Sequence, residues 1–230
     1  MKKYNIFLLD LDETLLDFNK SEKTAIREVF LSNSLPFNEE IYENYHKINY
    51  GLWKRYEKGE IKKEDIFSNR FKMLSEKFNI NCSCDLNVLY FDRLGKYAFV
   101  MDGAFELLEL LSGKGRVYII TNGREAIQKN RIALSGIDKY LNGVFISETI
   151  GKNKPEKEFF DYVAKNINGF DKEKTMIIGD SLSSDILGGI NSGIDTVWLN
   201  LLNEETKDII PTYKVKSCKE IVELLKNACM

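Results

Sequence analysis

The sequence predicts an α/β protein whose core is a doubly wound parallel sheet, with an all-helical subdomain inserted into it. Two patterns support this fold class. From residue 98 onward, short apolar runs alternate with segments of helical periodicity, which is typical of strand-helix units and a parallel sheet. Residues 18–97 lack a convincing strand and carry helical stripes of apolar side chains. We therefore expect residues 1–17 and 98–230 to form the α/β core and residues 18–97 to form the helical insertion.

The first strand is predicted from a near-continuous apolar run between Tyr4 and Asp10, because a strand covered on both faces needs no polar alternation. Within the insertion, apolar residues recur at three- and four-residue steps over residues 41–56 and 66–78, so two amphipathic helices are expected there. The later elements alternate. We place strands at residues 116–120, 144–146, 175–178, 196–199 and 213–215, and helices at residues 102–111, 124–135, 156–166, 183–191 and 219–226.

Composition narrows the functional classes. The 230 residues carry a formal net charge of −2, with acidic and basic residues interleaved, so nothing favours nucleic acid or an anionic membrane as a partner. The apolar start of the chain is interrupted by Asp10 and Asp12 and lacks a small-residue cleavage site, and no stretch approaches a membrane span. We expect a cytoplasmic monomer or homodimer that acts on a small molecule.

Cysteine and histidine usage limits the chemistry further. The four cysteines lack the spacing of a zinc site, so free thiols in a reducing compartment are expected. They are Cys82, Cys84, Cys218 and Cys229. The single histidine, His46, has no partner motif, and a half-buried or helix-surface position is favoured over a catalytic one. We therefore expect any reaction of this protein to use carboxylates and a metal ion.

Polar residues cluster where the predicted strands end. In a doubly wound sheet, ligands bind at the carboxyl ends of the strands, near the point where strand order reverses. The segments there are residues 10–14 (DLDET), 121–123 (TNG) and 179–185 (GDSLSSD), and Lys154 precedes Pro155 at the start of a helix. Each alone has an ordinary explanation as a turn, a helix cap or a surface charge. Their joint occurrence after successive strands indicates one shared site.

Converging carboxylates predict a cation, because they repel one another at low dielectric unless a positive charge neutralises them. Oxygen ligands with room for water suit Mg²⁺, which in turn suits a phosphoryl group. Hydroxyl, amide and turn N–H groups, as in the TNG segment, bind phosphate at strand ends. The sequence contains neither a GxxxxGK[ST] loop nor a GxGxxG loop, which argues against nucleoside triphosphate and dinucleotide cofactors.

Four motifs, in this order, resemble those of the haloacid dehalogenase superfamily. They are Asp10-x-Asp12-x-Thr14, Thr121-Asn122-Gly123, Lys154-Pro155 and Gly179-Asp180-x-x-x-x-Asp185. The resemblance spans essentially the whole chain, and a helical cap inserted after the first motif is similar to the first cap class (C1) of that superfamily. It implies that Asp10 attacks phosphorus and forms an aspartyl-phosphate, a covalent route that divides one slow hydrolysis into two steps.

The resemblance also implies how the phosphoryl group is handled. Asp12 would protonate the leaving oxygen and then deprotonate the attacking water. True haloacid dehalogenases, which attack carbon, have no use for an acid at this position, so Asp12 favours phosphoryl transfer. Thr121 and the backbone N–H of Asn122 would hold the phosphoryl oxygens, and Lys154 would offset the charge on Asp10.

For the metal, the resemblance implies Mg²⁺ bound by Asp10, by the backbone carbonyl of Asp12 and by Asp180. Asp185 would orient a metal-bound water or the catalytic lysine. Thr14 would support the loop after the nucleophile without taking part in the chemistry.

Within the superfamily, the chain most resembles the noncanonical pyrimidine 5′-nucleotidases, on residues 14–18 and on the stretch from 179 to 200. This implies hydrolysis of UMP, dUMP, dTMP and modified analogues. In the cap, Asn49, Trp53 and Lys58 resemble that group's substrate-facing segment. Trp53 lies at helical spacing from Asn49, so packing within the bundle explains it equally well, and Lys58 is equally consistent with an ordinary turn charge.

Other functions stay open on the sequence. One is a capped phosphatase for a sugar phosphate or a small phosphorylated acid. A phosphomutase of the same fold would need a bisphosphate activator and would release no net phosphate. A catalytically silent phosphate-sensing module would be favoured by the loss of a key acid, whereas each motif acid is present.

Overall fold

The structure, a computed structural model, describes residues 2–227, which divide into two compact units. One unit comprises the residues up to Phe18 together with those from Ala98 onward, and the other comprises Asn19–Tyr97. The first unit contains a six-stranded parallel sheet of order β3-β2-β1-β4-β5-β6, which confirms the predicted doubly wound core. Its strands are β1 (Ile6–Leu9), β2 (Arg116–Thr121), β3 (Gly143–Ile146), β4 (Thr175–Gly179), β5 (Asp195–Leu199) and β6 (Tyr213–Val215).

Ten α-helices accompany the sheet within the described residues. They are α1 (Phe18–Ser32), α2 (Glu39–Glu57), α3 (Lys63–Phe78), α4 (Leu86–Leu94), α5 (Ala104–Lys114), α6 (Glu125–Ser135), α7 (Ser147–Ile150), α8 (Lys157–Asn166), α9 (Leu187–Ser192) and α10 (Cys218–Asn227). The helix predicted at residues 183–191 differs, because its first part is a π-helical turn, Leu182–Ile186, and α9 begins only at Leu187.

Successive side chains along each strand point to opposite faces of the sheet, and both faces are apolar. Phe7 and Leu9 of β1 belong to one buried cluster, which also contains side chains of α5 and α10. Ile6 and Leu8 belong to the opposite cluster, which includes side chains of α8. All four side chains of β1 are at most 1% exposed, as expected for a central strand covered on both faces. The polar residue that follows β1 is therefore held at the end of a rigid strand.

The helical unit packs around an aromatic cluster. Tyr45 of α2, Phe71 of α3 and Tyr90 of α4 have ring centroids 4.8 to 5.8 Å apart. The buried Arg70 guanidinium lies 4.5 Å from the centroid of the Tyr90 ring, and its Nε donates to Asn87 Oδ1 at 2.7 Å. These contacts hold α2, α3 and α4 together.

The cysteine expectation is wrong in part. Cys82 and Cys84, in the loop before α4, form a disulfide. Cys218 is a free, buried thiol, as expected, and Cys229 lies outside the described residues. Among residues 2–227, no helix combines the length and the apolar character needed to cross a membrane.

Candidate active site

Three neighbouring strands end at one edge of the sheet, at the point where the strand order reverses. Leu9 of β1 pairs with Ile119 of β2 and Ile178 of β4, so the residues that end or follow these strands lie side by side. Asp10 follows β1, Thr121 ends β2 and Asp180 follows β4. Carboxylate oxygens of Asp10, Asp180 and Asp185 lie within 4.8 Å of one another. The structure therefore brings together Asp10 of the first motif and both acids of the fourth motif.

Lys154 connects two of these acids. Its ammonium group donates to Asp10 Oδ1 at 2.6 Å, to Asp185 Oδ1 at 2.6 Å and to the carbonyl of Ile120 at 2.9 Å. These three hydrogen bonds use all three ammonium hydrogens. Burial by itself lowers the pKa of Lys154, but the adjacent charges of Asp10 and Asp185 outweigh burial and raise the pKa above its ordinary value. Lys154 is therefore a permanent positive charge in the site.

Asp10 carries a strongly perturbed carboxyl. Burial raises the pKa of Asp10 to about 8, with the charges of Asp185 and Asp12 adding to the rise and Lys154 opposing it. When all three carboxyl groups are ionised, they exceed the one ammonium by two negative charges, which a divalent cation would balance. The donors are hard oxygens and one of them, Asp180, is half-buried, so the residues fit Mg²⁺ with room for water.

The three acids are not equivalent. Asp185 Oδ1 is bound to Lys154, and Asp185 Oδ2 accepts a hydrogen bond from the backbone N–H of Ser181 at 3.1 Å. Both carboxylate oxygens of Asp185 therefore accept hydrogen bonds from the protein. Asp180 is placed by its neighbours, because Trp198 Nε1 donates to its carbonyl at 2.8 Å and Thr14 Oγ1 lies 3.4 Å from its Oδ1. Thr14 is fully buried, and its hydroxyl donates to Asp180.

Thr121 and Asn122 of the second motif make different contacts. Thr121 Oγ1 accepts from the Gly123 N–H at 3.1 Å and from Gln128 Nε2 at 2.9 Å, so its own hydrogen is left for a further acceptor, such as a phosphoryl oxygen. The Asn122 side chain instead binds the backbone of Lys154, with Oδ1 accepting at 3.0 Å and Nδ2 donating at 2.9 Å. Asn122 therefore fixes the third motif beside the second, and its backbone N–H remains the group predicted to contact phosphate.

Asp12 lies in a different environment from Asp10. Its Oδ2 accepts from Gln128 Nε2 at 2.8 Å, and its Oδ1 is paired with Arg131 Nη1. Gln128 and Arg131 were not predicted from the sequence. The sequence did contain a signal. Gln128 and Arg131 are three positions apart, so they share one face of a predicted helix, and the neighbouring apolar residues Ile127 and Ile132 indicate that this side of the helix is buried.

The predicted cap residues lie on or next to α2. Asn49 is 3% exposed, and its Nδ2 donates to Glu22 Oε1 at 2.8 Å. Trp53 is half-buried and contacts the Tyr56 ring edge-on, with centroids 5.7 Å apart. Lys58 is exposed at the end of the helix. Of these three, Asn49 has the most fixed position, because its amide is held by a buried carboxylate.

Comparisons with known proteins extend over most of the chain. A family model described as haloacid dehalogenase-like hydrolase matches residues 4–193. The pyrimidine 5′-nucleotidase YjjG of Escherichia coli is 34% identical over 224 residues, covering 97% of this chain and 98% of YjjG. The pyrimidine 5′-nucleotidase PynA of Streptococcus pneumoniae is 37% identical over 225 residues, covering 96% and 95% respectively. A magnesium-bound crystal structure of YfnB from Bacillus subtilis has a TM-score of 0.92 at 36% identity, covering 97% of this chain and 99% of YfnB.

Proposed function

The chain belongs to the haloacid dehalogenase-like hydrolase family, as its four motifs predicted, and we propose that it is a magnesium-dependent phosphatase that uses Asp10 as a nucleophile. The observation that carries this proposal is the arrangement at the strand ends. Asp10 is buried, bound to Lys154 through Oδ1 and grouped with two further carboxylates. An isolated surface aspartate needs none of these neighbours, whereas a nucleophile that must approach a phosphate dianion needs compensating positive charge.

In the first step, an oxygen of Asp10 attacks phosphorus and the bond from phosphorus to the ester oxygen breaks. Asp12 supplies the proton that the departing oxygen requires. Lys154 offsets negative charge on Asp10, and the Thr121 hydroxyl and the Asn122 N–H donate to phosphoryl oxygens. Bound Mg²⁺ would supply charge neutralisation between the carboxylates and the phosphoryl group, with Asp10, the Asp12 carbonyl and Asp180 as its ligands.

In the second step, water attacks the phosphorus of the aspartyl-phosphate, and the bond to Asp10 breaks. Asp12, now deprotonated, accepts a proton from that water, so the residue returns to its starting state. The same residues therefore serve both steps, and the products are the alcohol and inorganic phosphate.

For the substrate, we propose pyrimidine nucleoside 5′-monophosphates such as UMP, dUMP and dTMP. Two relatives named pyrimidine 5′-nucleotidases match at 34% and 37% identity over nearly their whole length, which supports this class over other phosphate esters. In the helical unit, Asn49, Trp53 and Lys58 are the residues we propose to contact the nucleoside. The buried Glu22 carboxylate accepts from Asn49 Nδ2, whereas Asn49 Oδ1 is a buried acceptor without a hydrogen-bond donor among the described residues.

The test is phosphate release from purified protein with Mg²⁺, measured for UMP, dUMP and dTMP beside sugar phosphates and small phosphorylated acids. We expect kcat/KM for the pyrimidine nucleotides to exceed that for the other esters by at least about tenfold, which corresponds to about 1.4 kcal/mol. A preference for a sugar phosphate would reject the nucleotide assignment and keep the phosphatase. Activity that requires a bisphosphate and releases no phosphate would indicate a phosphomutase, and no turnover of any ester would indicate a sensing module.

A further inference from the structure

Two buried polar side chains on α6 are unused by the mechanism above. Gln128 is 2% exposed and Arg131 is 0% exposed. They lie three positions apart, so they share one face of the helix that follows the second motif. Long polar and charged side chains are seldom fully buried unless they are paired, so a specific partner is expected for each.

That partner is Asp12. The two hydrogens of Gln128 Nε2 are directed to Asp12 Oδ2 at 2.8 Å and to Thr121 Oγ1 at 2.9 Å. Arg131 Nη1 pairs with Asp12 Oδ1 and also donates to Gln128 Oε1 at 3.1 Å. Both carboxylate oxygens of Asp12 are thus held by α6, and the same amide group binds the hydroxyl of the second motif.

The surrounding residues keep the network in place. A methyl group at Gly123 would lie 2.5 Å from Gln128 Cδ and Nε2, so the glycine leaves the space that this amide occupies. On the other side, the Arg131 guanidinium lies 5.5 Å from the centroid of the Phe18 ring. The network is therefore confined by packing and not free to rearrange like a surface ion pair.

We propose that Gln128 and Arg131 are positioning residues, which hold Asp12 in line with Thr121 so that proton transfer is aligned with the bound phosphoryl group. The inference rests on the proposed function, because it assigns a purpose to the acid-base residue of that reaction. Arg131 acts through Asp12, and Gln128 acts through both Asp12 and Thr121; neither is placed in contact with the substrate.

A role in positioning the acid can be distinguished by experiment from a role in stability alone. A nucleoside 5′-phosphate expels an alkoxide, which needs a proton from Asp12 as the phosphorus–oxygen bond breaks. p-Nitrophenyl phosphate expels a stable phenolate, which needs far less help from an acid. Since kcat/KM includes the steps through departure of the leaving group, loss of acid alignment lowers kcat/KM for the alkyl ester and largely spares the aryl ester.

The experiment compares kcat/KM for UMP, or for the alkyl phosphate that the substrate screen ranks highest, with kcat/KM for p-nitrophenyl phosphate. The variants are Gln128→Met, Arg131→Met and Arg131→Lys. Lys129→Met is the matched control, because Lys129 is exposed on the same helix and forms a surface ion pair with Glu125. Thermal unfolding of each variant identifies those that keep the fold.

We expect Arg131→Met to lower kcat/KM for the alkyl ester by about 100-fold and Gln128→Met by about tenfold, within the range that general acid catalysis supplies. The aryl ester should lose less than about fivefold, and Arg131→Lys should recover part of the alkyl activity. If Arg131→Met does not fold, Gln128→Met decides. Equal losses on both esters in a folded variant overturn the inference, whereas a wild-type protein inactive on both esters overturns the proposed function itself.

Discussion

Replacing Lys154 with methionine tests the electrostatics of the site directly. Methionine is similar in length but carries no charge and donates no hydrogen bond. The variant leaves two carboxylates, Asp10 and Asp185, which are 12% and 0% exposed at their side chains, without the ammonium that joins them. The Ile120 carbonyl also loses its donor from this residue.

The expected loss of stability is about 3–5 kcal/mol at pH 7 without Mg²⁺, because removing one partner of a buried pair leaves the other charge uncompensated. A surface ion pair contributes at most about 1 kcal/mol, so the two cases are well separated. Lys157→Met is the matched control, since Lys157 is 59% exposed and pairs with Asp161 one helical turn away.

The loss should depend on pH with a defined sign. The pKa of Asp10 is already raised to about 8 from its ordinary value of 3.8, and removing Lys154 raises it further. The folded protein then holds a proton on Asp10 that the unfolded chain releases above pH 4, so stability falls as pH rises through this interval. The wild type shows the same fall until Asp10 loses its proton near pH 8, so the deficit of the variant should be nearly constant from pH 5 to pH 7 and should begin to grow at pH 8, and Mg²⁺ should reduce it.

Urea unfolding of the wild type, Lys154→Met and Lys157→Met at pH 5, 7 and 8 provides the measurement, with the free energy of unfolding compared at equal m-values. A deficit below about 1 kcal/mol at pH 7, or one that grows toward pH 5, would refute the reasoning. Either result would mean that water already compensates these carboxylates in the native protein.

Three further predictions concern the same site. Asp10→Asn should abolish phosphate release without lowering the thermal midpoint, because the amide keeps the shape of the side chain and an oxygen that accepts from Lys154; a turnover above about 1% of wild type would reject Asp10 as the nucleophile. EDTA should remove activity and Mg²⁺ should restore it, and calorimetry at pH 7 in two buffers should detect proton release on Mg²⁺ binding, since the pKa of Asp10 is raised to about 8. Gly179→Ala should destabilise by about 1–3 kcal/mol, because its methyl group would lie 2.3 Å from Asp185 Oδ2, whereas Gly113→Ala, with open space in α5, should be neutral or stabilising.

Much of the fold can be predicted from the periodicity of apolar residues along the sequence, because this periodicity reflects which side chains are buried. The central strands are covered on both faces, so they stand out as uninterrupted apolar runs, and β2 and β4 each lie within one residue of their predicted limits. In the insertion, only α2 and α3 were predicted from periodic apolar stripes, and α1 and α4 were missed. The other missed elements are short. The four-residue helix α7 is too short for a periodic pattern, and the π-helical turn after β4 is formed around Asp185, whose backbone N–H donates to the Ser181 carbonyl.

The site residues that follow strands could be predicted from the sequence. The site residues that approach through helix packing could not. Parallel strands end at one edge, so Asp10, Thr121 and Asp180 were expected to meet once their strands were recognised. Gln128 and Arg131 approach Asp12 only because α6 packs beside the first-motif loop, and spacing along the chain does not encode that distance. The Cys82–Cys84 bond was missed for a similar reason, since Cys-x-Cys spacing alone does not fix the loop conformation that brings the sulfurs together.

The acids of the site pair with two different basic side chains, Lys154 and Arg131. The two sets of ion pairs suit the nucleophile and the acid-base residue respectively. Lys154 bridges Asp10 and Asp185, which leaves an excess negative charge that favours a divalent metal beside the nucleophile. Arg131 pairs separately with Asp12, so the charge of the acid-base residue is compensated without the metal. A proton-transfer residue that depended on Lys154 would change its environment each time Asp10 became phosphorylated. A separate arginine spares Asp12 part of that change, so substitutions at Arg131 should impair proton transfer, whereas substitutions at Lys154 should impair charge compensation at the nucleophile.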